Sequence, residues 1–244
     1  MDQSIRAVWY DLPKEHKNTY IEWLHGTYLP EILQCPGILW AAHYEVTGGG
    51  KHMDVIADHL AHVDIAEVGK GKDYIMLLGA GSPHVFFKPL FEDVEARNSK
   101  TLEMNALRQE VRVNVFTEEA RVNGPDFDYR THDTTPGPAI QMGSFRTMEL
   151  EQEWDLIAWY AQYRMPAMAR MPGCINTRKL ISNVGWAKHA VMYEFTSLEA
   201  RQEHFQNHES LAMDETVWTN KIINYTLHAP GSPSIAHRIW PDVV

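Results

Sequence analysis

The sequence predicts an α+β protein built from two tandem ferredoxin-like units, each of βαββαβ order. Three observations carry this: a motif repeated at one offset, the same succession of hydrophobic periodicities in both halves, and a Pro/Gly-punctuated break between them. The motif is Trp23-Leu24-His25-Gly26-Thr27-Tyr28-Leu29-Pro30, followed by Cys35-Pro36-Gly37. It returns as Trp159-Tyr160-Ala161-Gln162-Tyr163-Arg164-Met165-Pro166, followed by Met171-Pro172-Gly173-Cys174. Trp159, Pro166, Pro172 and Gly173 each lie 136 residues after their counterparts. That period is too long for a solenoid and fits duplication of a whole domain.

In the first half, residues 6–12 read as a strand. A helix fits 15–33, where Tyr20, Trp23, Leu24 and Thr27 recur at i, i+3, i+4 and i+7. Pro36-Gly37 ends it. Strands follow over 38–47 and 74–79, then a helix over about 84–109 and a strand over 111–118. The second half repeats the order: strand 140–147, helix 150–170, strands 174–182 and 188–196, helix 198–213, strand 221–228. The expected domains are 1–122 and 139–228. The linker 122–138 is marked by Gly124, Pro125, Pro136, Gly137 and Pro138, and 229–244 forms a C-terminal tail.

The halves differ between their central strands. Val184-Gly185-Trp186 is nearly the whole turn in the second, whereas the first has an insertion, 48–72, that begins Gly48-Gly49-Gly50 and ends Gly69-Lys70-Gly71-Lys72. Residues 53–68 have an amphipathic, helix-like pattern. Glycines at both ends suggest a lid over a pocket in the first half.

Composition narrows the function. At 44% hydrophobic and 22% charged residues the chain is an ordinary globular one. A net charge of -10 offers no attraction to nucleic acid or anionic lipid, so neither is an expected partner. Two cysteines, Cys35 and Cys174, are too few for a disulfide scaffold or a zinc pattern. The N-terminus has no signal-peptide pattern and no run is long enough for a membrane span, so a cytoplasmic protein is expected.

The helix carrying Trp, Pro and Pro-Gly, followed by a strand over 39–46, resembles the dimeric α/β-barrel superfamily. So does Tyr193-Glu194-Phe195-Thr196-Ser197-Leu198-Glu199-Ala200, which is similar to the EthD-like branch; Leu78-Gly79-Ala80-Gly81-Ser82-Pro83 is a looser counterpart. The resemblance implies that the two units pair sheet to sheet as an intrachain dimeric α/β-barrel, and that the chain assembles further into a homodimer. It also implies a small-molecule partner. Members include polyketide cyclases, cofactor-free oxygenases, dehydratases and isomerases of hydrophobic, often aromatic molecules, and haem-binding relatives exist. EthD-like sequences often carry His-x-Pro where this chain has Tyr28-Leu29-Pro30 and Arg164-Met165-Pro166, so no role carries over through that histidine.

Candidate chemistry concentrates in the first half. His25 and Tyr28 are three apart and share a helix face. Imidazole and phenol suit general acid–base work. His43 lies in the second strand, with Lys179 as its counterpart 136 residues on, and His84 opens the second helix. Tyr20, Trp23 and Trp40 are expected to line an aromatic pocket, with His59 and His62 contributing from the insertion. Asp58, His59 and His62 could instead bind a metal, although the helical spacing of Met53, Ile56, Leu60 and Val63 reads more simply as packing. The expected function is a cofactor-independent lyase (dehydratase, decarboxylase or cyclase) on an aromatic or polyketide-like molecule. The alternatives are a cofactor-free monooxygenase and a haem- or ligand-binding protein without catalysis.

Overall fold

The computed structural model describes residues 1–48, 60–91, 99–131, 133–205 and 217–243. The first half contains β1 (Ser4–Asp11), α1 (Lys17–Trp23), a π-helical turn (Leu24–Tyr28), α2 (Leu29–Ile32), β2 (Ile38–Val46), β3 (Ala61–His62) and β4 (Tyr74–Ala80). A 3₁₀ turn (Pro83–Phe87), α3 (Ser99–Asn105) and β5 (Gln109–Asn123) complete it. After a 3₁₀ turn at Phe127–Tyr129 come β6 (Ala139–Arg146), α4 (Leu150–Trp159), a second π-helical turn (Tyr160–Arg164), α5 (Met165–Met168), β7 (Cys174–Val184) and β8 (His189–Phe195). The chain ends with α6 (Leu198–Ala200), a third π-helical turn (Arg201–Phe205), α7 (Trp218–Tyr225), β9 (Leu227–His228) and β10 (Ser234–Trp240).

Eight of these strands form a closed antiparallel barrel in the order β10-β2-β4-β1-β5-β7-β8-β6, with β6 pairing back onto β10. One seam between the halves is β5 against β7. The other is β10, whose Ala236 stands opposite Val46 of β2 and Ile140 of β6. Each strand alternates its side chains between the barrel interior and the helices outside. Ile5, Ala7 and Trp9 of β1 and Trp40, Ala42 and Tyr44 of β2 point inward, while Val8 and Tyr10 pack with the first-half helices. Gly79 lets Trp40 turn into the barrel, since a Cβ there would overlap the indole. Gly37 and Gly173 both have positive φ after their helices, which glycine adopts without strain.

Several elements depart from expectation. Residues 221–228 do not form one strand: α7 covers Trp218–Tyr225, pinned to α4 where Trp218 Nε1 and the Tyr225 hydroxyl donate to Asp155 at 3.1 and 3.0 Å. Trp218, Ile222 and Tyr225 pack on the second-half core at helical spacing, which overrides the β-branched run. The tail holds the barrel-closing strand β10. Residues 60–68, expected to continue a helix, contain β3 and turns, and β3 pairs in parallel with β9. The remainder of that predicted helix, 53–59, lies outside the described residues. Within the expected 84–109 helix, the described residues show the 3₁₀ turn, α-helical residues 89–91 and α3. The stretch after β5 is anchored: Arg130 makes a two-pronged ion pair with Glu194 at 2.7 and 2.8 Å, and Gly173 N donates to Asp126 at 2.8 Å.

One end of the barrel interior is closed by charge. Asp2 is fully buried and accepts from Trp40 Nε1 (2.7 Å), Arg121 (2.8 Å) and Arg178 (3.0 Å). Arg178 also donates to Glu118 at 2.7 Å. Removing one member of such a network strands the others in low dielectric. Arg178→Met should therefore cost about 3–5 kcal/mol in denaturant-unfolding free energy. Burial alone would raise the Asp2 pKa, but Arg178, Arg121 and Trp40 together bring it below its ordinary 3.8. The network's contribution is thus present above the unfolded aspartate pKa and lost as pH falls through the folded one. Acid titration of wild type should show a loss of stability below about pH 4 that is smaller in Asp2→Asn.

Candidate active site

The two π-helical turns occupy equivalent places, Leu24–Tyr28 and Tyr160–Arg164, again 136 residues apart. Pro30 and Pro166 provide a local cause. Proline has no N–H, and its ring crowds the carbonyl four residues back, so the preceding turn widens. The widened turn ends on Tyr28 in the first half and Arg164 in the second, 1% and 3% exposed. Such bulges often carry functional side chains.

The halves use that position differently. In the first, Tyr28 packs among Tyr10, Tyr20 and Trp23, and the Arg108 guanidinium lies 5.3 to 5.9 Å from the centres of the three tyrosine rings. The space between helices and sheet is filled by these rings. A polar chain runs through it: the Tyr10 hydroxyl is 2.8 Å from His43 Nε2, and His43 Nδ1 is 2.8 Å from His25 Nε2. With the phenol donating, His43 carries its proton on Nδ1 and passes a hydrogen bond to His25. Burial, then the neighbouring His25 and Arg108, holds the His43 pKa well below 6.5, so the ring is neutral. His25 is half-buried and its pKa is also lowered by burial.

In the second half the corresponding region is a cavity of about 90 Å³, or about 680 Å³ counted out to its open mouth. Phe145, Trp159, Tyr160, Tyr193 and Ile222 give it an apolar lining; Gln141, Arg164 and His228 supply polar groups. The Arg164 guanidinium sits 4.7, 5.3 and 5.8 Å from the ring centres of Trp159, Phe205 and Tyr193, which orients a cation with little water around it. Arg201 Nε holds the Gln141 side-chain oxygen at 2.8 Å. His228 Nε2 is 3.2 Å from the Thr226 hydroxyl, and burial followed by nearby His62 pushes its pKa down to about 3. Behind the wall, Lys179 stands where the first half has His43. Its Nζ is 2.9 Å from His189 Nδ1 and 3.0 Å from Glu119, and His189 Nε2 is 2.9 Å from Glu153.

The structure brings His25, His43 and Tyr28 to one side of the first-half sheet, with Tyr20 and partly buried Trp23 in the same core. Two expectations need correction. Trp40 is inside the barrel, donating to Asp2, because inward and outward positions alternate along β2. His84 is exposed on the 3₁₀ turn, where Ser82 Oγ caps its backbone N–H, and does not join the histidine chain. His59 lies outside the described residues. His62 bonds through Nε2 to the Ser232 carbonyl at 2.7 Å, and its ring centre is 5.8 Å from that of His228. With Leu60 lining the cavity, the described end of the insertion is therefore at the second-half pocket. Sequence reasoning gave no site role to Arg108 or Gln141; Arg164, 136 residues after Tyr28, had a signal. Among the described residues no group of three or more His, Cys, Asp or Glu side chains could hold a metal ion, and no helix is long and apolar enough to cross a membrane.

No protein-family model matches the chain, and no curated protein does. Solved structures do. An anthrone oxidase-like protein aligns over 97% of this chain and 90% of its own at 10% identity, with a TM-score of 0.53. A Fusobacterium nucleatum protein provisionally named a monooxygenase aligns over 97% and 92% at 8% identity, TM-score 0.57. A haem-binding protein from Thermus thermophilus aligns over 96% and 90% at 12% identity, TM-score 0.50. At these identities the likeness is one of fold, that of α/β-barrel proteins.

His43, His189 and His228 are buried and neutral, with the His189 pKa pushed down to about 4 chiefly by burial and then by Lys179. Each has a folded pKa below its unfolded one, so its contribution to stability is full above the unfolded pKa and declines as pH falls below it. Between pH 6.5 and 5, each such histidine should remove about 2 kcal/mol. Urea unfolding at pH 7.5, 6 and 5 checks this, and His228→Gln should flatten the profile. A pH-independent midpoint across this window would contradict it.

Proposed function

We propose that the chain is an enzyme for a small, flat, partly polar molecule, bound in the second-half cavity and oxidised there by molecular oxygen without an organic cofactor. The observation that carries this is Arg164, a buried guanidinium fixed among aromatic rings on the wall of an apolar cavity. Aromatic walls suit a planar ring. A guanidinium in a water-poor site stabilises an enolate or phenolate oxygen far more than it would in water. A substrate held as that electron-rich anion is the species that passes electrons to oxygen. The names of two structural neighbours, anthrone oxidase-like and monooxygenase, support the oxidative reading.

A second reading keeps the lyase chemistry and is favoured by one observation, the Tyr10–His43–His25 chain. There the half-buried His25 exchanges a proton with the substrate and His43 relays it. The haem-binding neighbour raises a third. Among the described residues the cavity offers that group no free axial ligand. The nitrogens of its one lining histidine among the described residues face Thr226 and Ser232. The chain also reads as a duplicated ferredoxin-like unit of EthD-like type, supported by the 136-residue spacing of the π-helical turns, with β10 extending the second unit beyond residue 228.

Purified protein should consume oxygen with one or more of a panel of anthrones and hydroxylated naphthalenes, and turnover should stop under strict anaerobiosis. Arg164→Gln should lower kcat/KM by about 10²–10³-fold at wild-type oxygen affinity. Anaerobic turnover, with loss of activity in His43→Phe instead of Arg164→Gln, would replace this reading with the lyase.

A further inference from the structure

The barrel end opposite the Asp2 network carries a second feature, independent of the cavity. Arg112 faces inward from β5, 4% exposed, with its guanidinium 4.5 Å from the centre of the Trp9 indole. Its Nη1 donates to the Pro230 carbonyl at 2.5 Å. Its Nε and Nη2 are buried with no hydrogen-bond partner among the described residues, and none of their carboxylates is paired with it. Three more buried polar atoms in the same state belong to inward-facing residues at this end: Trp9 Nε1, Asn114 Oδ1 and Ser144 Oγ.

Topology places these groups together. Trp9 is directly opposite Arg112 across the β1–β5 ladder, and Asn114 is the next inward residue on β5. The Asn114 amide nitrogen reaches across to Ser182 Oγ and the Val184 carbonyl on the β7–β8 hairpin. Ser144, on β6, receives the chain segment that Arg112 holds: its N–H donates to Ser232 Oγ and its carbonyl accepts from Ala229 N. Residues 229–232 thus cross this end of the barrel between Arg112 and Ser144.

A buried guanidinium without a counter-charge is costly, and three N–H groups in one enclosed place make an anion site rather than a packing defect. We propose that this end of the barrel binds a small monovalent anion, of the size of chloride or nitrate, on the Nε/Nη2 edge of Arg112, with Trp9 Nε1 as a further donor. The anion neutralises Arg112, which burial alone otherwise shifts to a pKa of about 10. It also ties the segment 229–232, and with it the start of the closing strand β10, to the barrel.

The full chain, dialysed into sodium gluconate, is titrated with sodium bromide or nitrate at constant ionic strength while thermal unfolding is followed. Saturable stabilisation of about 5 °C between roughly 1 and 100 mM is expected, with gluconate inert and with no such response in Arg112→Met. A crystal grown in bromide should show an anomalous peak within hydrogen-bond distance of Arg112 Nε in wild type. That measurement stands even if the variant fails to fold. A water in place of the peak, or an equal bromide response in wild type and Arg112→Met, would overturn the proposal.

Discussion

Closure of the barrel is the constraint on which the rest of this molecule depends. A four-stranded sheet from either half alone would leave two edges of unpaired N–H and C=O groups and one uncovered face. Joining β5 to β7 removes one pair of edges, and inserting β10 between β2 and β6 removes the other. The uncovered faces then become a single interior to which both halves contribute, from Ile5 and Trp40 to Met192 and Ala236.

That interior is not uniformly apolar. Its ends hold charges that an open sheet would have exposed to water. At one end Asp2, Glu118, Arg121 and Arg178 satisfy one another, and Arg130 and Glu194 form a second pair nearby. At the other end Arg112 has, among the described residues, an indole face and one carbonyl. Complementary charges at one end and an uncompensated guanidinium at the other polarise the barrel along its axis, and that guanidinium is where solvent ions or ligands would have most effect.

Outside the barrel the halves differ in how they treat the space under their helices. Tyr10, Tyr20 and Tyr28 fill it in the first half, and Arg108 lies over their faces. In the second, Arg164 takes the place of Tyr28, and its guanidinium lies against Trp159, Tyr193 and Phe205 beside a hollow. One change of character at a shared position, tyrosine for arginine at the end of a π-helical turn, therefore goes with a filled core on one side and a charged cavity on the other. The long first-half insertion reaches across to that cavity through Leu60 and β3, so the first half helps to build the second-half site.

Much of this was local in the sequence. The Trp–Pro–Pro–Gly spacing, the alternating strands and the glycines at 37 and 173 are set by backbone sterics and by periodicity, which operate over a few residues, and so the α+β class and the element order near the motifs were legible. His25 and His43 could also be named, though not joined, because residues 18 apart meet only when the first helical segment packs on β2. What only the tertiary structure decided was pairing and side-chain destination. The tail around Ser234–Trp240 becomes a barrel strand because two free edges stand ready to receive it. Residues 218–225 become a helix because Asp155 and the second-half core hold one of its faces. The cavity falls in the second half because tyrosines fill its counterpart, a matter of volume that no spacing in the sequence records.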